Sequence, residues 1–156
     1  MRVDADDFAR PCGCGKEHHI DVKEILIEAG AIDKLEEEMS EGFLKEYISP
    51  LLICDTNTYR VAEEIMEGIY DRCQELVLDA EDLHADEYAV EIVENNMEDD
   101  IDLILAVGAG TIHDISRYIA YKYKIPFISV PTAASVDGFV STVASMTLKG
   151  LKQTIP

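Results

Sequence analysis

A chain of 156 residues, 47% of them hydrophobic, is long enough to bury one good core, and no apolar run in it reaches the roughly 18–20 residues of a membrane-crossing helix. Thirteen basic residues against 32 acidic ones give a net charge of -19, which repels nucleic-acid phosphates and anionic membranes and so argues against either as a partner. The first eleven residues hold two Arg and three Asp but no apolar segment, so they do not read as a signal peptide, and a cytoplasmic location is expected.

Residues 1–19 read as a Gly-rich N-terminal arm and 20–156 as one domain. Within the arm, the stretch PCGCGKEHH places two thiols and two imidazoles within a few positions, and thiolate and neutral imidazole are the usual zinc ligands. Cys12, Cys14, His18 and His19 are thus a metal candidate, but one that the spacing disfavours. A single residue between the thiols strains two bonds to one tetrahedral ion.

Next come two short extended pieces, Ile20 to Val22 and Glu24 to Glu28, then a turn at Ala29 to Ala31. A helix from Ile32 to Met39 is predicted there, with Ile32, Leu35 and Met39 on its buried face. Leu51 to Cys54 is an uninterrupted apolar run, as expected of a parallel strand covered on both faces. Asp55 ends it, and Thr56 to Thr58 start a helix whose Val61, Ile65, Ile69 and Cys73 recur at four-residue steps. Cys54 and Cys73 then read as small buried hydrophobes.

A third strand spans Glu75 to Leu78. The acidic segment after it still carries a helix, with Asp86 as N-cap and Tyr88, Ile92 and Val93 at helical spacing. Leu103 to Val107 is the next strand and Gly108-Ala109-Gly110 the turn. The following helix has Ile112, Ile115, Ile119 and Tyr123 inward, and Pro126 opens the strand Phe127 to Val130. Beyond Ser141 the text changes to a β-hairpin, Val143 to Leu148 and Leu151 to Ile155, around a Lys149-Gly150 turn. Strands alternating with helices imply an α/β fold, a Rossmann-like parallel sheet with flanking helices, ending in that hairpin.

In such a sheet the ligand sits beyond the carboxyl ends of the strands, and three of those ends carry polar or glycine-rich loops. Gly108 and Gly110 let backbone approach a ligand, and the helix opening at Thr111 offers free N–H groups and a positive dipole end to a pyrophosphate. GAG is neither the GxGxxG fingerprint nor a Walker A loop, and a plain tight turn is the competing reading. Asp55 can take ribose hydroxyls and repel a 2′-phosphate, or simply cap the helix after it. Thr132, Ala133, Ala134 and Ser135 offer small side chains and hydroxyls to a flat ring. Asp137 is a candidate acceptor for substrate hydroxyls, or the side chain of an Asx turn. His113, in the first helical turn, should have its pKa depressed by the helix N-terminus or merely line the pocket. Ser116 is expected to pack, and His84 to face solvent.

With ICDTNTY, GAGTIHD and VPTAASVDGF in view, the chain resembles the bacterial glycerol-1-phosphate dehydrogenases, relatives of glycerol dehydrogenase, iron-containing alcohol dehydrogenases and dehydroquinate synthase. The likeness runs over almost the whole chain. It implies contacts to NAD (or NADP) at Asp55, at Gly108 and Gly110, at Thr111, Ile112, His113 and Asp114, at Thr132 to Ser135, and at Ser141, with Asp137 meeting the substrate. The implied reaction moves a hydride between NAD(P)H and dihydroxyacetone phosphate, giving sn-glycerol 1-phosphate. A divalent metal, Zn or Ni, would polarise the ketone from one Asp and two His of a following all-helical domain.

These 156 residues hold no counterpart of that helical domain, so the chain by itself is expected to bind the dinucleotide without turnover. The apolar surface left uncovered should favour a homo-oligomer. Two further readings stay open: a non-catalytic nucleotide-binding or assembly remnant, and a fragment of a polyol dehydrogenase or dehydroquinate-synthase-like enzyme.

Overall fold

The two longest apolar runs occupy the middle of a four-stranded parallel sheet. A computed structural model describes residues 1–4, 12–18, 21–60, 63, 67 and 72–156. In it β1 (Arg2–Asp4) pairs antiparallel with β2 (Glu24–Leu26), placing a short strand inside what reads in the sequence as an arm. The large sheet comprises β3 (Pro50–Asp55), β4 (Gln74–Leu78), β5 (Leu103–Gly108) and β6 (Phe127–Pro131), in the order β4-β3-β5-β6. β7 (Ala144–Leu148) and β8 (Leu151–Ile155) form the expected hairpin, with both turn residues, Lys149 and Gly150, at positive φ as a type I′ turn requires.

Burial follows strand position. Leu51 to Cys54 and Leu103 to Ala106 have no exposed surface, because each of these strands has a neighbour on both sides and a covered layer above and below. Alternate residues then feed two separate cores. Leu51, Ile53, Ile104 and Ala106 point to one face, where α2 (Glu87–Asn96) supplies Ala89, Val90 and Val93 and α3 (Gly110–Tyr123) supplies Ile112, Ile115 and Ile119. Leu52, Cys54, Leu103, Leu105 and Val107 point to the other, against Met39 of α1 (Ala31–Ser40) and Leu44 of the 3-10 turn Phe43–Glu46. The hairpin adds no strand to this sheet; its Ala144 and Met146 close the first core over α3.

Two sequence expectations fail at tyrosines. Asp86 does cap α2, its side chain accepting from Ala89 N at 3.0 Å, and that cap sets the helical phase so that Tyr88 falls outside the apolar stripe and is 72% exposed. Tyr123 lies on the stripe of α3 but past the sheet's end, exposed, with its hydroxyl donating to Glu94 at 3.0 Å. Cys73 precedes β4 at a bend and is half-buried, and burial pushes its thiol up to about 12. Val61, Ile65 and Ile69 lie outside the described residues, although 56–60 are helical.

The order β4-β3-β5-β6 means that the chain leaves β3 in one direction and returns past it to reach β5. The carboxyl ends of β3 and β5 therefore flank a topological switch point, the position at which open parallel sheets take their ligands. Gly108, at that end of β5, is packed hard. A Cβ there would lie 2.8 Å from the Cβ of Ile112, so Gly108→Ala should lower stability by about 1–3 kcal/mol in urea unfolding. A variant as stable as the parent would show that this packing is slack.

Candidate functional site

Three loops meet at the carboxyl edge of the sheet. α3 begins at Gly110 directly after β5, with Ala109 at its N-cap in an extended conformation (φ -97°) that alanine adopts without strain. No side chain caps this helix end and no acid stands in its first turn, which leaves the leading N–H groups and the positive end of the helix dipole without an internal partner. The two glycines differ in kind. Gly108 is required by Ile112, whereas a Cβ on Gly110 would meet nothing within 4 Å, so the open space above the helix start is not explained by packing inside the chain.

β6 brings the second loop alongside. Gly108 pairs with Pro131 across the sheet, and Thr132 N donates to Gly108 O at 3.1 Å, fastening the small-residue loop to the glycine turn. Ala133, Ala134 and Ser135 are exposed in a turn closed by Val136 N donating to Ala133 O at 3.1 Å. Asp137 is also exposed; it opens the 3-10 turn Asp137–Val140, and its carboxylate caps nothing there. The Ser141 hydroxyl is engaged in its own turn with the backbone of Val143.

The third loop follows β3. Asp55 Oδ1 accepts from Asn57 N at 2.9 Å and Thr58 N at 2.7 Å, while Asp55 N donates to Thr58 Oγ1 at 2.9 Å. Asp55 is therefore the helix cap, one of its two sequence readings, and it sits at the switch point while doing so. Next to it, Thr56 Oγ1 accepts from Ala80 N at 3.1 Å, tying the ends of β3 and β4 together.

Of the residues in α3 singled out from sequence, Gly110 is exposed and Thr111 half-exposed, whereas Ile112 and His113 are buried and present only backbone to the edge. His113 is 1% exposed, edge-on to the Phe127 ring at 6.3 Å. Its Nδ1 lies 2.8 Å from the carbonyl of Ala109, which can only accept, so Nδ1 carries the proton and Nε2 is left as a buried acceptor without a partner among the described residues. The imidazole is depressed below its ordinary value, but the main cause is burial; the bond to Ala109 opposes it. Ser116 is fully buried, as its packing role requires, and His84 faces solvent.

A residue that sequence reading missed organises the site. Arg117 is 8% exposed; Nη1 donates to Asp114 Oδ1 at 3.3 Å and to Val143 O at 3.0 Å, and Nη2 donates to Gly138 O at 3.0 Å. Its guanidinium lies over Phe127, 5.2 Å from the ring centroid. Asp114 Oδ1 also accepts from Ser145 N at 3.0 Å, so this carboxylate acts inside the fold. The available signal was an Arg three residues after an Asp, one helical turn from it on the face away from the apolar stripe of Ile112, Ile115 and Ile119. An open groove of about 1590 Å³ runs beside β6 between β2, α1 and the loop of Thr132 to Ala134, and neither Asp55 nor Gly110 lines it.

Arg117→Met should cost about 2 kcal/mol or more, since it removes the donor that the Gly138 and Val143 carbonyls and Asp114 share, and should speed amide exchange in 138–145. Unchanged exchange there would refute the clasp. For His113, the unfolded chain takes up a proton as pH falls below about 6.5 while the folded chain resists it, so stability drops with falling pH in that window. His113→Leu should flatten the slope of unfolding free energy between about pH 7 and pH 5; an unaltered slope would place the titration elsewhere.

The profile of the family described as iron-containing alcohol dehydrogenase matches residues 26–156. Glycerol-1-phosphate dehydrogenase [NAD(P)+] from Geobacillus stearothermophilus is 38% identical over 156 residues, covering 95% of this chain and 38% of the relative. The protein of that name from Bacillus subtilis (strain 168) is 39% identical over 145 residues, covering 87% of the chain and 36% of the relative. The chain thus spans little more than a third of the length of these relatives. Among solved structures, glycerol dehydrogenase from Schizosaccharomyces pombe superposes with a TM-score of 0.62 at 23% identity over 80% of this chain and 31% of that one. Maleylacetate reductase from Agrobacterium tumefaciens gives 0.63 at 19% identity over 83% and 36%, and both likenesses bear on the fold. With the family profile spanning most of the chain and the same α/β fold in these structures, the chain belongs to the iron-containing alcohol dehydrogenase family.

Proposed function

We propose that the chain is the dinucleotide-binding part of an NAD(P)-dependent glycerol-1-phosphate dehydrogenase, acting between dihydroxyacetone phosphate and sn-glycerol 1-phosphate. The observation that carries this reading is the uncapped start of α3 at the switch point, with clear space over Gly110. The names of the relatives supply the reaction and the cofactor class.

The residues present fit a dinucleotide. The leading N–H groups of α3 hold its pyrophosphate, and Gly110 lets the phosphate come close. Asp55 keeps one carboxylate oxygen outside its helix cap for ribose hydroxyls, and its charge favours NAD over NADP. Thr132 to Ser135 and Ser141 border the nicotinamide side, and Asp137 accepts from substrate hydroxyls. A bound nicotinamide supplies or takes the hydride. Ile112 and His113 contribute backbone and pocket wall, not side-chain contact, because both are buried.

The family's metal is a different matter. Among the described residues, the one group of three or more metal-capable side chains within reach of a single ion is Cys12, Cys14 and His18. That thiol-rich set does not match one Asp and two His, and no step is assigned to a metal through it. No helix among the described residues is long and apolar enough to cross a membrane. A cytoplasmic setting suits four free cysteines, and self-association suits exposed Ile48 and Leu151, at 86% and 66%.

Titrating NADH into the purified chain, followed by cofactor fluorescence, tests the proposal. Saturable binding is expected. Gly110→Asp places a carboxylate where the phosphate belongs and should weaken binding by about tenfold or more, yet leave stability intact because an acid suits a helix N-terminus. Absence of binding at millimolar NADH would remove the nucleotide reading. Equal affinity in the variant would move the pyrophosphate away from α3.

A further inference from the structure

We propose that Cys12, Cys14 and His18 bind one zinc ion. The sequence objection was the single residue between the thiols, and the backbone answers it. Gly15 N donates to Cys12 O at 3.0 Å, closing a turn over 12–15, and Gly15 stands at φ +78°, a left-handed conformation that glycine accepts at little cost. The turn folds the second cysteine back toward the first. Four residues on, His18 Nε2 lies 3.1 Å from Cys14 Sγ, and the three candidate ligand atoms all lie within 4.8 Å of one another.

A tetrahedral zinc with bonds of about 2.3 Å to sulfur and about 2.0 Å to nitrogen separates its ligands by roughly 3.5–3.8 Å, so small side-chain rotations close the set on an ion. Hydrophobic burial does not explain the gathering, since all three residues are exposed and none belongs to either core. Two thiolates with one imidazole and no carboxylate select a thiophilic ion such as zinc over calcium or magnesium. On binding, each thiol gives its proton to solvent and each sulfur donates an electron pair to zinc; water completes the fourth position. His19 lies outside the described residues. The site is independent of the dinucleotide proposal, and its effect is to clip residues 12–18 into one conformation.

The test uses the reduced, metal-depleted chain. Zinc is titrated against a chromophoric chelator, and cobalt(II) is substituted to read the near-ultraviolet thiolate-to-cobalt band. One zinc per chain is expected, with affinity rising with pH. Cys12→Ser with Cys14→Ser should abolish the cobalt band and weaken zinc by about 100-fold or more, and His18→Ala by about tenfold. Far-UV circular dichroism should stay unchanged, since the residues are exposed. Zinc bound equally well by the double cysteine variant, or a parent chain that shows no thiolate-to-cobalt band, would overturn the proposal.

Discussion

A cation in a closed layer must have its charge met on the spot, and Arg117 does this through its two terminal nitrogens, which draw three parts of the chain together, while its Nε has no hydrogen-bond partner among the described residues. One carboxylate on its own helix, one carbonyl from the 3-10 turn and one from the approach to the hairpin converge on two nitrogens, over the face of an aromatic ring from β6. Burial draws the guanidinium below its ordinary value, with Asp114 resisting that shift. The loop bearing Asp137 and the hairpin behind it are thereby fixed relative to α3, whose other end lies at the switch point. Geometry at the edge of the sheet thus depends on a charge set back from it.

The sheet supplies the rest of the positioning. β3 and β5 are saturated with apolar contacts on both faces, so they leave only their carboxyl ends for polar work. The separation into two cores makes this possible. Close packing of Ile112 on Gly108 then brings α3 against β5 at its first turn, setting the helix start beside the small-residue loop.

Much of this was legible in the sequence because it rests on periodicity. Leu51 to Cys54, Leu103 to Val107 and the hairpin with its Lys-Gly turn are patterns in which every residue agrees. Tyr88 failed because it lies off the stripe of Ala89, Val90 and Val93, and Tyr123 because an apolar stripe can outrun the layer that covers it, a boundary that no local pattern shows. Arg117 was missed because the partners that make its burial tolerable are carbonyls, which every sequence contains and none displays. Asp55 showed the reverse problem: its spacing to Thr58 served two roles equally well, and only the bond lengths identify the cap.

His113 carries a consequence for how such a chain drifts. Its Nε2 is a buried acceptor that nothing among the described residues satisfies, and an atom of that kind costs about 1–3 kcal/mol. Set against the roughly 5–15 kcal/mol by which a domain is stable, that is a sizeable concession at one position. An apolar side chain would fill the same place against Phe127 without it. Random substitution judged on stability alone would therefore erase the histidine early, and a lineage that retains it is being selected on something other than folding.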